Sequence, residues 1–485
     1  MSKYHPKGLR VLFFTEMWER MSYYGMRGIL VLFMTASISN GGLDFNNGSA
    51  SAIYGIYAAS VYLATLPGGW IGDNLLGQQK TILYGGIIIM FGHLSLAIPN
   101  INSFYIGLVL VVLGTGLLKP NISAIVGELY NNNPEMRQSG FTIFYMAINL
   151  GSILGFFICG YLGENVGWHY GFGAAGIGMA FGLIQYIYNI KLLEKSGAKP
   201  FNKIDKKLKN KYEKIILTLV TLIFLITISG LLGLWNIDPI PLANILTIII
   251  TFISLFYFFY IFVFGELNKN EKKRVCMIFI LFLGAALFWS GFDQAGSSFN
   301  IFAKEYTNRI MFGWEYPASW LQIVNPLFVV ILSPFMSYLW IYLGKRMLDP
   351  SLPFKFGLGL IFMAMGFLVI AMGAQVALSQ NLAGAQWLLI TYLLHTIGEL
   401  TLSPIGLAAI SSLSPKKYIG QMMGVWFLAS SLGAIIAGLI SGQATNEGLI
   451  SMPGLFNQIA LTASLFGLIL IIVARPLHRW VFKES

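Results

Sequence analysis

Gly114-Thr115-Gly116-Leu117-Leu118-Lys119-Pro120 and Gly398-Glu399-Leu400-Thr401-Leu402-Ser403-Pro404 repeat one pattern at two places in the chain. Each opens on glycine, closes on proline and holds one charged residue in an otherwise uncharged run. A second pair follows in the same order: Phe144-Tyr145-Met146-Ala147-Ile148-Asn149-Leu150-Gly151 parallels Trp426-Phe427-Leu428-Ala429-Ser430-Ser431-Leu432-Gly433. Outward from these patterns the chain is a series of long apolar runs. About 20 apolar residues cross a bilayer as a helix. By that measure six helices lie near 10–37, 49–72, 80–99, 104–124, 138–162 and 167–191. Two more lie near 214–234 and 241–265, and six near 274–300, 320–344, 354–377, 383–408, 418–441 and 455–480. The paired patterns occupy the fourth and fifth helices of the first six and of the last six. Weak internal symmetry of this kind marks two repeated bundles.

Composition agrees. Hydrophobic residues are 56% of the 485 and charged residues 11%, against about 25% charged in soluble domains. The chain has 37 Phe, 23 Tyr and 11 Trp, and its mean hydropathy is +0.70. So few charges cannot cover so much apolar surface in water. A soluble enzyme, a nucleic-acid-binding module and a disordered chain are excluded. An outer-membrane barrel would show short alternating strands. The first apolar stretch holds Glu16, Glu19, Arg20 and Arg27, which is wrong for the core of a cleavable signal. Cys159 and Cys276 make neither a metal spacing nor a disulfide framework. His93, His169 and His395 stand singly and read as satisfied helix residues.

An even number of spans puts both termini on one side. Loops on that side carry 26 of the 31 Lys and Arg, and the opposite loops carry only Lys304 and Arg309. Basic residues stay cytoplasmic, so both termini are expected there. This asymmetry also accounts for the net charge of +11. Nine lysines fall between Lys191 and Lys214, a segment that reads as a solvated topology anchor. Three segments follow: a bundle over 1–191, a basic loop and two-helix insertion over 192–270, and a second bundle over 271–485.

Seven charges remain inside the helices: Glu16, Glu19, Arg20, Arg27, Lys119, Asp293 and Glu399. Each costs about 2.5–3.5 kcal/mol or more at a helix centre when unpaired. Packing alone does not retain them, since apolar replacements are usually as stable. Glu16, Arg20, Tyr23 (or Tyr24) and Arg27 recur at steps of three or four and form one stripe. The competing reading is a structural ion-pair ladder, and Glu16 could simply cap the helix. A cavity with both charge signs suits a zwitterion. Bases take its carboxylate and an acid takes its ammonium. Arg20 and Lys119 belong to the first half and Glu399 to the second, so one zwitterion would bridge the halves. The acids also supply proton sites.

The layout resembles the major facilitator superfamily. The motifs resemble, more narrowly, the proton-dependent oligopeptide transporter family. Glu16-Met17-Trp18-Glu19-Arg20-Met21-Ser22-Tyr23-Tyr24-Gly25 is similar to that family's E-x-x-E-R signature with its aromatic run. Phe144-Tyr145-Met146-Ala147-Ile148-Asn149-Leu150-Gly151-Ser152 is similar to its F-Y-x-x-I-N-x-G-S signature. The two Gly-to-Pro patterns match as well, and the resemblance runs from about residue 5 to the end. It implies an all-α polytopic membrane protein of the major facilitator fold, with fourteen transmembrane helices in two six-helix bundles and an inserted pair. By position, it implies that Arg20 and Lys119 hold a peptide carboxylate. Glu399, with Asn149 and Asn325, would hold the amino group. Tyr23, Tyr24, Tyr62 and Trp426 would line side-chain pockets. Glu16 and Glu19 would couple the proton through Lys119, and Arg27 would pair with Asp293 at an extracellular gate.

The chain departs from the family at three residues and in one loop, where a few residues join the helices near 354–377 and 383–408 and the large extracellular domain of animal members is absent. Asp293 stands where the family usually has Glu, which shortens the side chain by one methylene. Gly55 stands where animal members carry His, so coupling would rest on carboxylates. Asn74, in Gly72-Asp73-Asn74, replaces a frequent Arg of the superfamily. The implied activity is a proton-coupled symporter importing di- and tripeptides by alternating access, as a monomer in the cytoplasmic (inner) membrane. Protons, peptides and the lipid bilayer are its partners. No cofactor, metal or nucleic acid is expected. The alternative is a carrier of another small anion or peptide-like metabolite such as nitrate, which would need no amine-binding acid. A membrane enzyme would need a nucleophile with its base, or a metal cluster, and neither is visible.

Overall fold

Backbone in hydrocarbon has no water to bond, so the apolar runs must close as helices. In the computed structural model the chain is described at residues 5–482, apart from 132, 203, 235–237 and 447. Fourteen helices of 19 to 31 residues are present among the described residues. The first seven are α1 (Lys7–Thr35), α2 (Asn47–Ile71), α3 (Gln78–Leu96), α4 (Ile101–Glu128), α5 (Arg137–Tyr161), α6 (Trp168–Asn189) and α7 (Lys206–Leu231). Then come α8 (Pro239–Phe264), α9 (Lys269–Phe292) and, after a short helix α10 (Ser298–Glu305), α11 (Val324–Lys345). The last four are α12 (Leu352–Gln380), α13 (Gln386–Leu413), α14 (Ile419–Asn446) and α15 (Met452–Phe482). Twelve are long and apolar enough to cross a membrane on those grounds alone. The other two are α1, which carries four internal charges, and α3, which opens on Gln78-Gln79-Lys80.

Caps set the ends. Asn100 accepts from Asn102 N at 2.7 Å at the start of α4. Asn268 and Glu271 form a reciprocal box at the start of α9, with bonds of 2.9 and 3.0 Å. Gly41 closes the turn after α1 in the left-handed region, at φ 73°.

Contacts divide the chain into two units. The first comprises the residues up to Asp44 and Ser60–Asp238. Within it α3 packs on α4, and α1 packs on α5 and α6. Leu12, Ile82, Ile89, Ile122, Ile125 and Tyr186 lie in its core. Pro120 breaks the ladder of α4. Asn121 Nδ2 takes up the carbonyls of Leu117 at 2.7 Å and Gly68 at 3.0 Å. The start of the basic loop is tied into this unit. Gln79 Nε2 donates to Ser196 O at 2.8 Å, Gly197 N donates to Glu128 Oε2 at 2.8 Å, and Asn202 Nδ2 donates to Asn74 Oδ1 at 3.0 Å. Asn74, where arginine is frequent, thus has an amide partner. α7 belongs to this unit and has no buried residue.

The second unit comprises Phe45–Ala59 and Pro239–Ser485. The insertion expected over 192–270 is therefore shared out, α7 to the first unit and α8 to the second. Within the second unit α12 packs on α13 and α15, and α9 packs on α14. The first half of α2 lies against α14. Ser51 Oγ is 3.2 Å from Ser441 Oγ, and Ser431 Oγ donates to Ala59 O at 3.0 Å. A Cβ at Gly55 would stand 3.0 Å from Gly438 Cα. No imidazole fits at this position, which explains glycine there.

One stretch differs from the sequence expectation. The helix expected near 274–300 ends at Phe292. Asp293–Gly296 then form a tight turn and α10 follows. Gly296, Ser297 and Ser298 disfavour a helix interior, and Ser298 Oγ donates to Gln294 Oε1 at 2.5 Å instead. A small hairpin follows, β2 (Ile310–Met311) with β3 (Trp314–Glu315), and β1 (Thr307–Asn308) pairs with β4 (Ala383–Gly384). Arg309 pins it by donating to Tyr316 O at 2.6 Å and Glu315 Oε1 at 2.5 Å.

Candidate functional site

In the first unit the charged stripe of α1 is buried. Glu16 is 2% exposed, Glu19 0% and Arg20 2%. The Arg20 guanidinium lies between the two carboxylates. Its Nε is 3.3 Å from Glu16 Oε1 and also meets Glu19 Oε2, and its Nη2 donates to Glu19 Oε1 at 2.6 Å. One glutamate is thus held by a two-point fork and the other by a single contact. Glu16 Oε2 is buried without a hydrogen-bond partner. The guanidinium lies 5.0 Å from the Tyr23 ring and 5.9 Å from the Tyr24 ring. Those rings meet edge to face at 5.3 Å.

Lys119 on α4 is the second cation of this group. Its ammonium lies 4.8 Å from the Tyr62 ring, and it is within electrostatic reach of Arg20, Glu19, Glu16 and Arg27. Both carboxylates pair with Arg20 in this structure, not with Lys119. Arg27, two turns beyond Arg20, is 8% exposed. α5 reaches the same region through its signature. A Cβ at Gly151 would lie 2.3 Å from Met17 O and 2.8 Å from Arg20 Cβ, so only glycine permits this approach. Asn149 Nδ2 donates to Tyr145 O at 3.0 Å on its own helix, which leaves its carbonyl oxygen as an acceptor.

In the second unit Asp293 lies at the end of α9, 1% exposed. Its carbonyl oxygen accepts from Tyr54 OH at 3.4 Å. Glu399 on α13 is half-buried and within electrostatic reach of Asp293. Asn325, in the first turn of α11, donates to Glu399 Oε2 at 3.2 Å and to Thr396 Oγ1 at 3.0 Å. Thr396 is a residue that the motifs do not single out. Its signal is helical spacing, three residues before Glu399 on the same face. Trp426 on α14 is buried, with its ring 6.4 Å from Phe356.

Thus α1 and α4 gather Glu16, Glu19, Arg20 and Lys119 with Tyr23, Tyr24 and Tyr62, while α11 and α13 gather Asn325, Thr396 and Glu399. No group of three His, Cys, Asp or Glu side chains converges as a metal site among the described residues. His395 Nε2 and His169 Nδ1 bond the carbonyls of Met363 and Leu96 at 3.1 and 3.2 Å. His93 differs from expectation, because both its ring nitrogens are buried without a partner.

Comparison with known proteins gives this arrangement its context. The sequence pattern of the POT family matches residues 79–460. The chain is 41% identical to the peptide transporter YePEPT of Yersinia enterocolitica, over 98% of this chain and 95% of that one. It is 37% identical to a di-/tripeptide transporter of Lactococcus lactis subsp. cremoris, over 97% and 96%. Its fold is similar to the crystal structure of the peptide transporter POT in complex with sulfate. There the TM-score is 0.91 and the identity 36%, over 99% of this chain and 96% of that one. The motifs on α1, α4, α5 and α13, the fourteen long helices and these likenesses together place the chain in the POT family: it is a multi-pass membrane transporter and not an enzyme.

Proposed function

We propose that the protein is a proton-coupled symporter that imports di- and tripeptides by alternating access. One observation carries the proposal: Arg20, buried in α1, is held between Glu16 and Glu19 with Lys119 nearby. These four charges balance. A substrate carboxylate drawn to Arg20 and Lys119 leaves one negative charge in surplus, where a surplus charge is expensive. A proton taken up by Glu16 or Glu19 restores the balance. Carboxylate and proton therefore bind together more readily than either alone, which is the thermodynamic requirement for symport.

Arg20 and Lys119 hold the peptide carboxylate. Glu399, positioned by Asn325, takes the peptide ammonium, with Asn149 offering its carbonyl oxygen. Tyr23, Tyr24, Tyr62 and Trp426 contact side chains, and Arg27 with Asp293 serves the gate. The proton is the coupling ion and no cofactor is used. The protein works as a monomer in the cytoplasmic membrane, with both termini in the cytoplasm. The names of the relatives as peptide and di-/tripeptide transporters support this substrate class.

The test is uptake of radiolabelled di-alanine into proteoliposomes with an inward proton gradient. Uptake should collapse with an uncoupler. Unlabelled di- and tripeptides should compete, while free alanine and longer peptides should not. Gradient-independent uptake would overturn proton coupling. No uptake into intact vesicles would favour another anion or a peptide-like metabolite.

A further inference from the structure

α7 carries a feature that the transport reading leaves unused. An open cavity of about 570 Å³ runs along it, lined by Lys207, Lys211, Lys214, Asn210, Thr218 and Leu219, with Ile215 beside them. These positions form one stripe of the helix. Its polarity is graded. Three cations and an amide occupy the first turns, and beyond Lys214 the alkyl side chains of Ile215 and Leu219 flank the Thr218 hydroxyl. The helix rises about 1.5 Å per residue, so the lysines spread over about 10 Å and the whole stripe over about 18 Å.

The helix does not neutralise this stripe. Its one acid, Glu213, lies 3.9 Å from Lys209, and both stand on the far side of the helical wheel. No ion pair to Lys207, Lys211 or Lys214 occurs among the described residues. α7 is held by another side, where Tyr212 meets Trp70 with ring centroids 4.9 Å apart. The stripe therefore stays exposed, at the point where the apolar run of α7 begins.

We infer that this cavity binds the headgroup of an anionic phospholipid. The phosphate sits among Lys207, Lys211 and Lys214, Thr218 donates to an ester carbonyl, and an acyl chain lies on Ile215 and Leu219. A soluble phosphate would use the lysines but leave the lower half of the stripe empty. Clustered lysines beside a membrane-spanning helix attract acidic lipid. The graded stripe adds a depth match that a diffuse basic loop lacks.

The experiment is native mass spectrometry of the full chain in mild detergent, titrated with phosphatidylglycerol or phosphatidylcholine. Retention of phosphatidylglycerol should exceed that of phosphatidylcholine by about ten-fold or more. The variant K207Q/K211Q/K214Q should bring the two lipids to near parity. K207R/K211R/K214R, which keeps the charge, should retain the preference. K191Q/K195Q/K199Q removes equal charge outside the cavity and should also retain it. Equal losses in both glutamine triples would reduce the effect to a diffuse field and overturn the site. So would the absence of a lipid preference in the parent protein. Displacement of phosphatidylglycerol by millimolar inorganic phosphate would assign the lysines to a soluble anion instead. Matching thermal transitions of parent and variants would exclude unfolding as the cause of a loss.

Discussion

At the residue scale, the question is which charge moves and which charge holds. Glu19 shares two contacts with Arg20 and Glu16 shares one. Glu19→Gln keeps the shape but removes one negative charge for good, as permanent protonation would. Proton-driven accumulation of di-alanine should fall by about ten-fold or more, while peptide-for-peptide exchange across the vesicle wall continues. If exchange stops too, Glu19 binds peptide and does not couple. Lys119→Ala acts differently. Removing one partner from a buried charge group costs about 3–5 kcal/mol, so uptake and exchange should both vanish. Glu399→Gln keeps an acceptor for Asn325 but loses the charge that an ammonium needs. Competition by free dipeptides should weaken by about ten-fold or more. N-acetylated dipeptides, which carry no ammonium, should compete with parent and variant alike. Equal weakening for both would deny Glu399 its amine role.

At the scale of the helix, glycine decides how near a charge can be brought. Gly151 lets α5 touch α1 at Met17 and Arg20. Gly151→Val puts a branched side chain into that contact, and overpacking of this kind costs about 1–3 kcal/mol or more. Its thermal transition in detergent should drop and uptake should fall with it. Gly454→Ala in α15, where nothing lies within 4 Å, should leave both unchanged. Equal effects at the two sites would remove the packing argument. These helices were legible because each apolar run is long and the Gly, Pro and Asn punctuation is plain. The buried charges were legible because charges are rare in hydrocarbon: Glu16, Glu19, Arg20 and Lys119 stood out by type alone. Partners were not legible. Periodicity places Arg20 beside Glu16, but it cannot say that both carboxylates take Arg20 while Lys119 faces Tyr62. Helical spacing puts Thr396 on the face of Glu399, but only its bond with Asn325 sets it apart from the other residues there. The end of α9 at Phe292 was missed for a related reason. Gln294 to Ser298 break the helix by local hydrogen bonding, while the flanking residues stay apolar enough to continue the run.

At the scale of the whole molecule, the proposed import requires one orientation in the membrane, and the distribution of lysine and arginine is what argues for cytoplasmic termini. The asymmetry is 26 basic residues against two, far beyond what a single loop supplies. The lysines between Lys191 and Lys214 number nine. Replacing all of them with Gln leaves seventeen against two, and the bias should still hold the orientation. Fluorescent-protein fusions at either terminus should therefore glow in cells of both parent and variant. Alkaline phosphatase inserted in the hairpin between α10 and α11, next to Lys304 and Arg309, should be active in both. The variant without these nine lysines should nevertheless lose its preference for anionic lipid. Orientation would then rest on the summed charge of many loops and lipid binding on three residues of one helix. A flipped topology in the variant would show that one loop carries the whole orientation signal, and the rest of the charge asymmetry would then need another explanation.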